Sequence, residues 1–233
     1  MGSAQQYIDI FNQCRDMICK HSSALMNSKR DEAFEAFQRV GFPTKKVERY
    51  KYTDIEALFA PNYGLNLNRL DIPVNPYDAF KCDVPNMSTS LYFVVNDAFY
   101  KKALPKAELP EGVFVGSLAD FSANAAFGKV SAMYCQLADD KDAITSLNTM
   151  LAQDALLIYF PKGVKVDRTL QVINILRSDV ALMVNRRMLI YLEDRADARI
   201  LFCDHAADDR NFLTTQVVEV MVGDGAHLDM TCL

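Results

Sequence analysis

The sequence lacks a concentrated run of basic residues. Lysine and arginine total 25 and aspartate and glutamate total 30, which gives a formal net charge of −5 over 233 residues. Because phosphate groups are bound by a concentrated basic face, this balance argues against nucleic acid as the main partner. Half of the residues are hydrophobic, a proportion that is typical of a soluble globular protein.

Long apolar stretches and export signals are also missing. The longest apolar runs, LYFVV and ALLIYF, fall far short of the roughly 20 residues that span a bilayer. The opening MGSAQQ leads into an amphipathic segment, so no signal peptide is predicted. Tryptophan is absent, and the cysteines form no CxxC pair. We therefore expect a cytoplasmic protein with no membrane segment and with six free thiols, those of Cys14, Cys19, Cys82, Cys135, Cys203 and Cys232.

Helical periodicity dominates the first part of the chain. Apolar residues spaced three and four apart predict a first helix over roughly residues 4–27. Capping signals at residues 28–31 and 53–56 predict two further helix starts, the first of which opens a helix that ends at Gly41. Residues 62–89 are rich in Asn, Asp and Pro and predict an ordered connector.

Three ten-residue segments of the last third resemble one another. They are LIYFPKGVKV at 157–166, LIYLEDRADA at 189–198 and EVMVGDGAHL at 219–228, so the pattern returns after 32 and then 30 residues. A period in this range is typical of a stacked array of coils. Apolar and polar residues alternate within the copies, as inward and outward positions of a β-strand do. The aligned apolar columns begin Leu156–Met188–Val218 and Val164–Ala196–Ala226, and the polar ones are Lys165–Asp197–His227 and Asp167–Arg199–Asp229.

The predicted fold is mixed α and β. An N-terminal helical/α+β region covers residues 1–150, and residues 151–233 form the first coils of a right-handed parallel β-helix with about 30 residues per coil. Turn residues at 161–163 and 223–225 suit tight corners, whereas the middle copy has a poorer turn at Asp194. Unrelated hairpins of similar sequence are the alternative.

The sequence stops at HLDMTCL, inside a predicted strand. The β-helix is therefore expected to be incomplete at its C-terminus, either because the chain is truncated or because a partner completes the fold. An exposed strand edge of this kind also predicts homo-association.

Cys203 and His205 are the most suggestive pair for metal chemistry. At positions i and i+2 of a strand they lie on one side, and imidazole with thiolate suits a soft metal. Two ligands make an incomplete site, so a surface or subunit contact is favoured. Cys232 aligns with the inward Phe202 and is predicted to be a core thiol. Cys14 and Cys19 are predicted to be structural cysteines of the first helix.

The remaining candidates have ordinary interpretations. His227 is predicted to lie outward beside Asp197, and His21 to follow the first helix. A calcium site is the alternative to a solvated loop for three acids, Asp204, Asp208 and Asp209. Residues 223–225 predict a corner and not a phosphate loop, because no helix follows. No P-loop motif is found, so any ATP hydrolysis must come from a partner, and no catalytic, cofactor or metal residue is assigned.

Two segments carry a family resemblance. Residues 41–53, GFPTKKVERYKYT, resemble the N-terminal signature of the SufB/SufD family, and within it the SufD branch, whose pattern is Gly-Leu/Phe-Pro-Thr, a few residues, Glu, an aromatic residue and Lys-Tyr-Thr. Tyr50 stands where the family usually has tryptophan. Residues 160–172, FPKGVKVDRTLQV, resemble the entry into the β-helix of that family.

The resemblance implies a non-catalytic scaffold subunit of the SUF iron–sulfur cluster assembly complex. Its implied partners are a SufB-like paralogue and a SufC-like ATPase, with an Fe–S cluster present only transiently in the complete complex. The functional histidines and cysteines of the family lie further toward the C-terminus, so no functional residue is carried over. A self-assembling structural β-solenoid is the alternative, and a polysaccharide-cleaving β-helix enzyme is disfavoured because no catalytic cluster is found.

Overall fold

The structure is a computed structural model that describes residues 2–80, 89–138 and 141–233. Cys82 and the end of the predicted connector 62–89 lie outside these residues. The chain is mixed α and β. Its helices are α1 (Ser3–Lys20), α2 (Ala24–Asn27), α3 (Arg30–Val40), α4 (Ile55–Phe59), α5 (Pro76–Ala79), α6 (Phe127–Met133) and α7 (Ala143–Leu151). Its strands are β1 (Thr89–Val95), β2 (Ala98–Phe99), β3 (Phe114–Ser117), β4 (Leu156–Phe160), β5 (Thr169–Leu176), β6 (Leu182–Leu192), β7 (Asp197–Ala206), β8 (Phe212–Val222) and β9 (His227–Cys232).

The helices α1, α3 and α7 share one apolar core with α4. Phe11, Phe37, Phe59 and Leu147 are almost completely buried there, and the burial of Phe11 confirms the apolar face predicted for the first helix. The predicted first helix is interrupted, because α1 ends at Lys20 and α2 begins a new turn. No helix of the described residues is long and apolar enough to cross a membrane.

The two predicted capping signals, at residues 28–31 and 53–56, had different outcomes. α3 ends at Gly41 as predicted, but Lys29 occupies its N-cap and makes no side-chain capping bond, so the predicted capping start at 28–31 is wrong in its mechanism. At α4 the cap is Asp54, whose carboxylate accepts a hydrogen bond from the Ala57 amide at 3.1 Å. That bond satisfies one of the free amides of the first turn.

The strands form two sheets, and the chain passes alternately from one to the other after β4. The first sheet has the order β2-β1-β5-β7-β9 and the second has the order β3-β4-β6-β8. Within each sheet the long strands are parallel, while β2 and β3 pair antiparallel. Consecutive strands from β4 to β9 thus lie in different sheets, which excludes the hairpin alternative.

The observed register agrees with the predicted alignment of the three copies. Leu156 lies beside Met188, and Met188 lies beside Val218. On the first sheet Asp197 lies between Lys165 and His227. The apolar columns of both sheets face each other and form a core of nearly inaccessible side chains that includes Ile158, Phe160, Val172, Ile190, Leu192 and Ile200.

The corners between strands have one shared geometry. Gly163, Arg195 and Gly225 occupy equivalent positions and have φ values of 73°, 63° and 65°. Glycine adopts this left-handed conformation without cost, whereas arginine does not. The poorer turn of the middle copy therefore folds like its neighbours despite its sequence.

The predicted division at residues 150 and 151 stays a prediction. Strands from both sides of it pair in the same sheets, since β1 lies parallel to β5 and β3 lies antiparallel to β4. At the other end, β8 and β9 are the edge strands of the described sheets, and inward residues there lose cover. Met230, for example, is 42% exposed.

Candidate functional site

Cys203 and His205 lie on the outer face of the first sheet, as predicted. The expectation of a surface contact is wrong for Cys203, which is only 3% exposed. Phe80, just after α5, covers this face and meets the His205 ring edge-on at 5.6 Å between centroids. The Gln171 Nε2 atom lies 3.4 Å from the Cys203 sulfur. Phe80, which is distant in sequence, therefore packs on a sheet face that the alternating pattern predicts to be exposed.

Cys232 is exposed, so its prediction as a core thiol is wrong. Its register beside Phe202 is confirmed, but β9 is an edge strand of the described sheet and nothing among the described residues stacks beyond it. His227 is exposed beside Asp197, as predicted. Cys14 lies at the margin of the α1 core, and Cys19 is half-buried.

The three acids of the calcium alternative do not converge. Asp204 pairs with Arg186 of the second sheet. Asp208 accepts hydrogen bonds from the Ser178 amide at 2.9 Å and from the Arg210 amide at 3.0 Å. Among the described residues, no group of three or more His, Cys, Asp or Glu side chains is placed to hold a metal ion. The GDG segment at 223–225 forms the predicted corner.

The inner side of the segment 41–53 is held firmly by the helical core. The Phe42 ring packs between those of Tyr7, Phe37 and Phe59, with centroid separations of 5.8, 5.3 and 4.5 Å. Aromatic pairs in such tilted or edge-on arrangements stabilise beyond the area that they bury. The beginning of the segment is therefore a structural anchor.

A second anchor joins the end of the segment to α7. The Tyr50 hydroxyl donates a hydrogen bond to Asp142 Oδ2 at 2.5 Å, while Asp142 Oδ1 accepts from the amides of Ile144 and Thr145 at 2.9 and 3.0 Å. Burial and the adjacent Asp142 carboxylate raise the pKa of Tyr50 to about 12. Asp142 thus caps α7 with one carboxylate oxygen and holds Tyr50, the aromatic position of the motif, with the other.

The outer side of the same segment is exposed. Residues 44–49 form what we call the motif ridge, and Tyr52, just beyond it, is 90% exposed with the Lys51 ammonium 5.0 Å from its ring centroid. A cavity of about 500 Å³ lies on one side of the ridge and one of about 480 Å³ lies on the other. Phe42, Pro43 and Thr44 line both cavities. The motif therefore has buried residues that anchor it to the helical core and exposed residues that form its outer surface.

Sequence reasoning missed a buried ionic cluster behind α7. Arg187 of β6 and Glu219 of β8 form an ion pair with both side chains inaccessible to solvent. The Glu219 carboxylate also accepts from the amides of Cys135, Leu137 and Ala138 at 3.1–3.3 Å. The alternating pattern marks these two charged positions only as outward. No local signal shows that a turn 52 residues before Arg187 and more than 80 residues before Glu219 covers them.

A second buried arginine was also missed. Arg30, the first residue of α3, is inaccessible to solvent and donates to the carbonyl oxygens of Met150 at 2.8 Å and Ala152 at 2.7 Å. Carbonyl groups at the C-terminal end of a helix such as α7 have no hydrogen-bond partner within the helix, and a cation is favourable there. Arg30 therefore fixes the beginning of α3 to the end of α7.

Comparison with known proteins identifies one family. The family model described as the SufBD protein N-terminal region matches residues 1–172. The match covers the motif segment, all the helices and the strands up to the first part of β5. A search of curated proteins finds no match.

Proposed function

The chain belongs to the SufB/SufD family, and from this membership we propose that it is a non-catalytic scaffold subunit of the SUF iron–sulfur cluster assembly complex. The observation that carries the proposal is the family match over residues 1–172, out of 233 in the chain. The family itself indicates a part in SUF cluster assembly. Within it, the GFPT and YKYT elements of residues 41–53 favour the SufD branch.

The proposed partners are a SufB-like paralogue and a SufC-like ATPase. The partners follow from the resemblance to the SufD branch. The two sheets support only the β-helix fold proposed for that branch, because parallel strands that alternate between sheets with a 30–32-residue register are expected of β-helix coils. A subunit of this kind supplies surfaces and not chemistry. It is proposed to work in the cytoplasm and to meet an iron–sulfur cluster only in the assembled complex.

Coexpression tests the scaffold role directly. We expect the full native chain, produced with the paralogous subunit and the ATPase of the same genome, to elute as one complex with fixed stoichiometry. The purified chain alone is expected to hydrolyse no ATP, whereas the complex does. Elution of the three proteins as separate species would contradict the proposal.

A structural β-solenoid that assembles with itself remains a second candidate. The edge positions of β8 and β9 favour it, because unpaired strand edges are templates for pairing with another chain. It differs from the first proposal in one measurable way, since it predicts homopolymers without a stoichiometric ATPase.

A further inference from the structure

The motif ridge and Tyr52 present side chains that the fold does not use. Val47 on the ridge is 46% exposed, and Tyr52 is 90% exposed, so neither side chain adds much to the apolar core. Val40 and Leu58, which precede and follow the segment in sequence, are 43% and 45% exposed. Exposed apolar and aromatic side chains on an ordered segment are typical of interaction surfaces.

The same segment is locally basic although the chain is acidic. Residues 41–53 contain four basic residues and one acidic residue, whereas the formal net charge of the whole chain is −5. The four basic side chains, those of Lys45, Lys46, Arg49 and Lys51, are all on exposed residues. A positive surface on a negative molecule attracts a partner of opposite charge and orients its approach.

Two ion pairs of the segment are weak enough to be exchanged, whereas Arg49 pairs at 3.2 Å with Asp142, whose side chain is only 9% exposed and caps α7. Lys45 pairs with Asp54 at 3.0 Å, and both side chains are more than half exposed. Lys51 pairs with Glu48, whose side chain is 83% exposed. Exposed pairs of this kind contribute about 0–1 kcal/mol, so a carboxylate of a partner can replace the internal one.

The shape of the surface fits a polypeptide better than a flat contact. The ridge stands between two cavities of about 500 and 480 Å³, and both of its anchors, Phe42 and Tyr50, hold it from below. A rigid binding surface loses little conformational entropy on binding. A segment laid across the ridge can place one apolar side chain in each cavity.

We propose that the motif ridge and Tyr52 are a docking surface for an acidic protein partner, one that presents carboxylates on either side of an apolar or aromatic side chain. A nucleic acid is disfavoured, because Glu48, Asp54 and Glu56 interrupt the basic side chains and repel a continuous phosphate backbone. Tyr52 acts as the aromatic contact, and Lys45 and Lys46 as the charged rim.

The test begins with a photo-crosslinking amino acid placed at position 52 of the full chain in its native cells. The same amino acid at position 104 is the control, because Leu104 is also an exposed apolar residue, at 55% exposure, outside the segment 41–53. We expect a product that is specific to position 52, whose crosslinked peptide carries several Asp or Glu residues. No product above the control, a crosslinked lipid, or a peptide without acidic residues would overturn the proposal.

Affinity measurements between this chain and the purified partner that crosslinking identifies complete the test. Tyr52→Ala and the double variant Lys45→Glu/Lys46→Glu are each expected to raise the Kd by about tenfold or more, in keeping with loss of an aromatic contact or of a charged rim. The control Lys106→Glu/Arg168→Glu makes the same charge change on exposed residues elsewhere and is expected to leave the Kd within about twofold. Equal effects of the two double variants, or an unchanged Kd for Tyr52→Ala, would refute the docking surface, while co-purification with the assembly subunits would still test the proposed function separately.

Discussion

The guanidinium of Arg187 and the carboxylate of Glu219 form an ion pair that is sealed from solvent and joins β6 to the edge strand β8. Cys135 at the covering turn has φ of 59° and donates its amide to the same carboxylate at 3.1 Å. The pair therefore holds together three parts of the chain that are far apart in sequence. Buried pairs of this kind are costly to break because the remaining charge has no compensation.

Glu219→Gln is expected to lower the free energy of unfolding by about 3–5 kcal/mol, since it leaves the Arg187 charge buried without a counter-ion. Urea denaturation of the purified protein measures this loss. The matched control is Glu111→Gln on an exposed residue, which we expect to change stability by no more than about 0.5 kcal/mol. Similar urea midpoints for the two variants would show that the Arg187–Glu219 ion pair does not stabilise the protein.

Arg195→Gly is expected to stabilise the protein. The left-handed conformation of Arg195 costs about 1–2 kcal/mol, and the extra freedom of glycine in the unfolded chain returns about 0.5–1 kcal/mol of this. A net gain of about 0.5–1 kcal/mol follows by the same reasoning.

The reciprocal change is Gly163→Ala at the equivalent corner. An added Cβ there meets no atom within 4 Å, so only the φ of 73° opposes the substitution. We expect a loss of about 1 kcal/mol in the same unfolding assay. A gain for Gly163→Ala would contradict the shared corner geometry.

Asp154 makes stability depend on pH. Burial raises the pKa of Asp154 to about 6, although Ser117 donates a hydrogen bond to its carboxylate at 2.8 Å. The folded state then holds this proton more tightly than the unfolded state, so stability falls as the pH rises from about 4 to about 6, by up to about 3 kcal/mol.

Asp154→Asn is expected to remove that part of the pH dependence. The amide oxygen can still accept from Ser117 and from the Ala155 amide, but no proton is exchanged. Unfolding curves at pH 4, 5, 6 and 7 for both proteins measure the difference between their slopes. Parallel profiles for wild type and variant would place the titrating group elsewhere.

Tyr50→Phe is expected to cost about 1.5–3 kcal/mol, because it removes a hydrogen bond to the ionised Asp142 carboxylate and leaves the ring in place. Thermal unfolding measures the loss. Tyr52→Phe is the matched control, since the Tyr52 hydroxyl is on a side chain that is 90% exposed, and its unfolding midpoint is expected to match that of the wild type. A wild-type midpoint for Tyr50→Phe would show that the second anchor of the motif is not needed.

The strand register was predictable from the sequence, and the cover of the outer faces was not. Alternation at Leu156 and Met188 reports which side faces the core, because the two sheets bury these sides against each other. Cys203 is buried instead in a cluster against which Phe80 packs, and Arg187 is covered by the turn after α6. Such contacts arise from long-range packing that leaves no periodic signal.

The motif segment shows the same limit at the candidate site. Its residues were recognisable as a family signature, but the pattern does not separate the anchors Phe42 and Tyr50 from the exposed Tyr52. Tyr50 is an anchor because it hydrogen-bonds Asp142, which lies 92 residues further along the chain.

The central claim is that the chain is a scaffold subunit of SUF iron–sulfur cluster assembly, and purification from native cells tests it most directly. The complete native gene product is isolated gently, and its stoichiometric companions are identified by mass spectrometry. The account predicts a related β-helix protein together with a P-loop ATPase. Recovery of the protein only with itself, as ladders or filaments, would contradict the account and favour the structural solenoid.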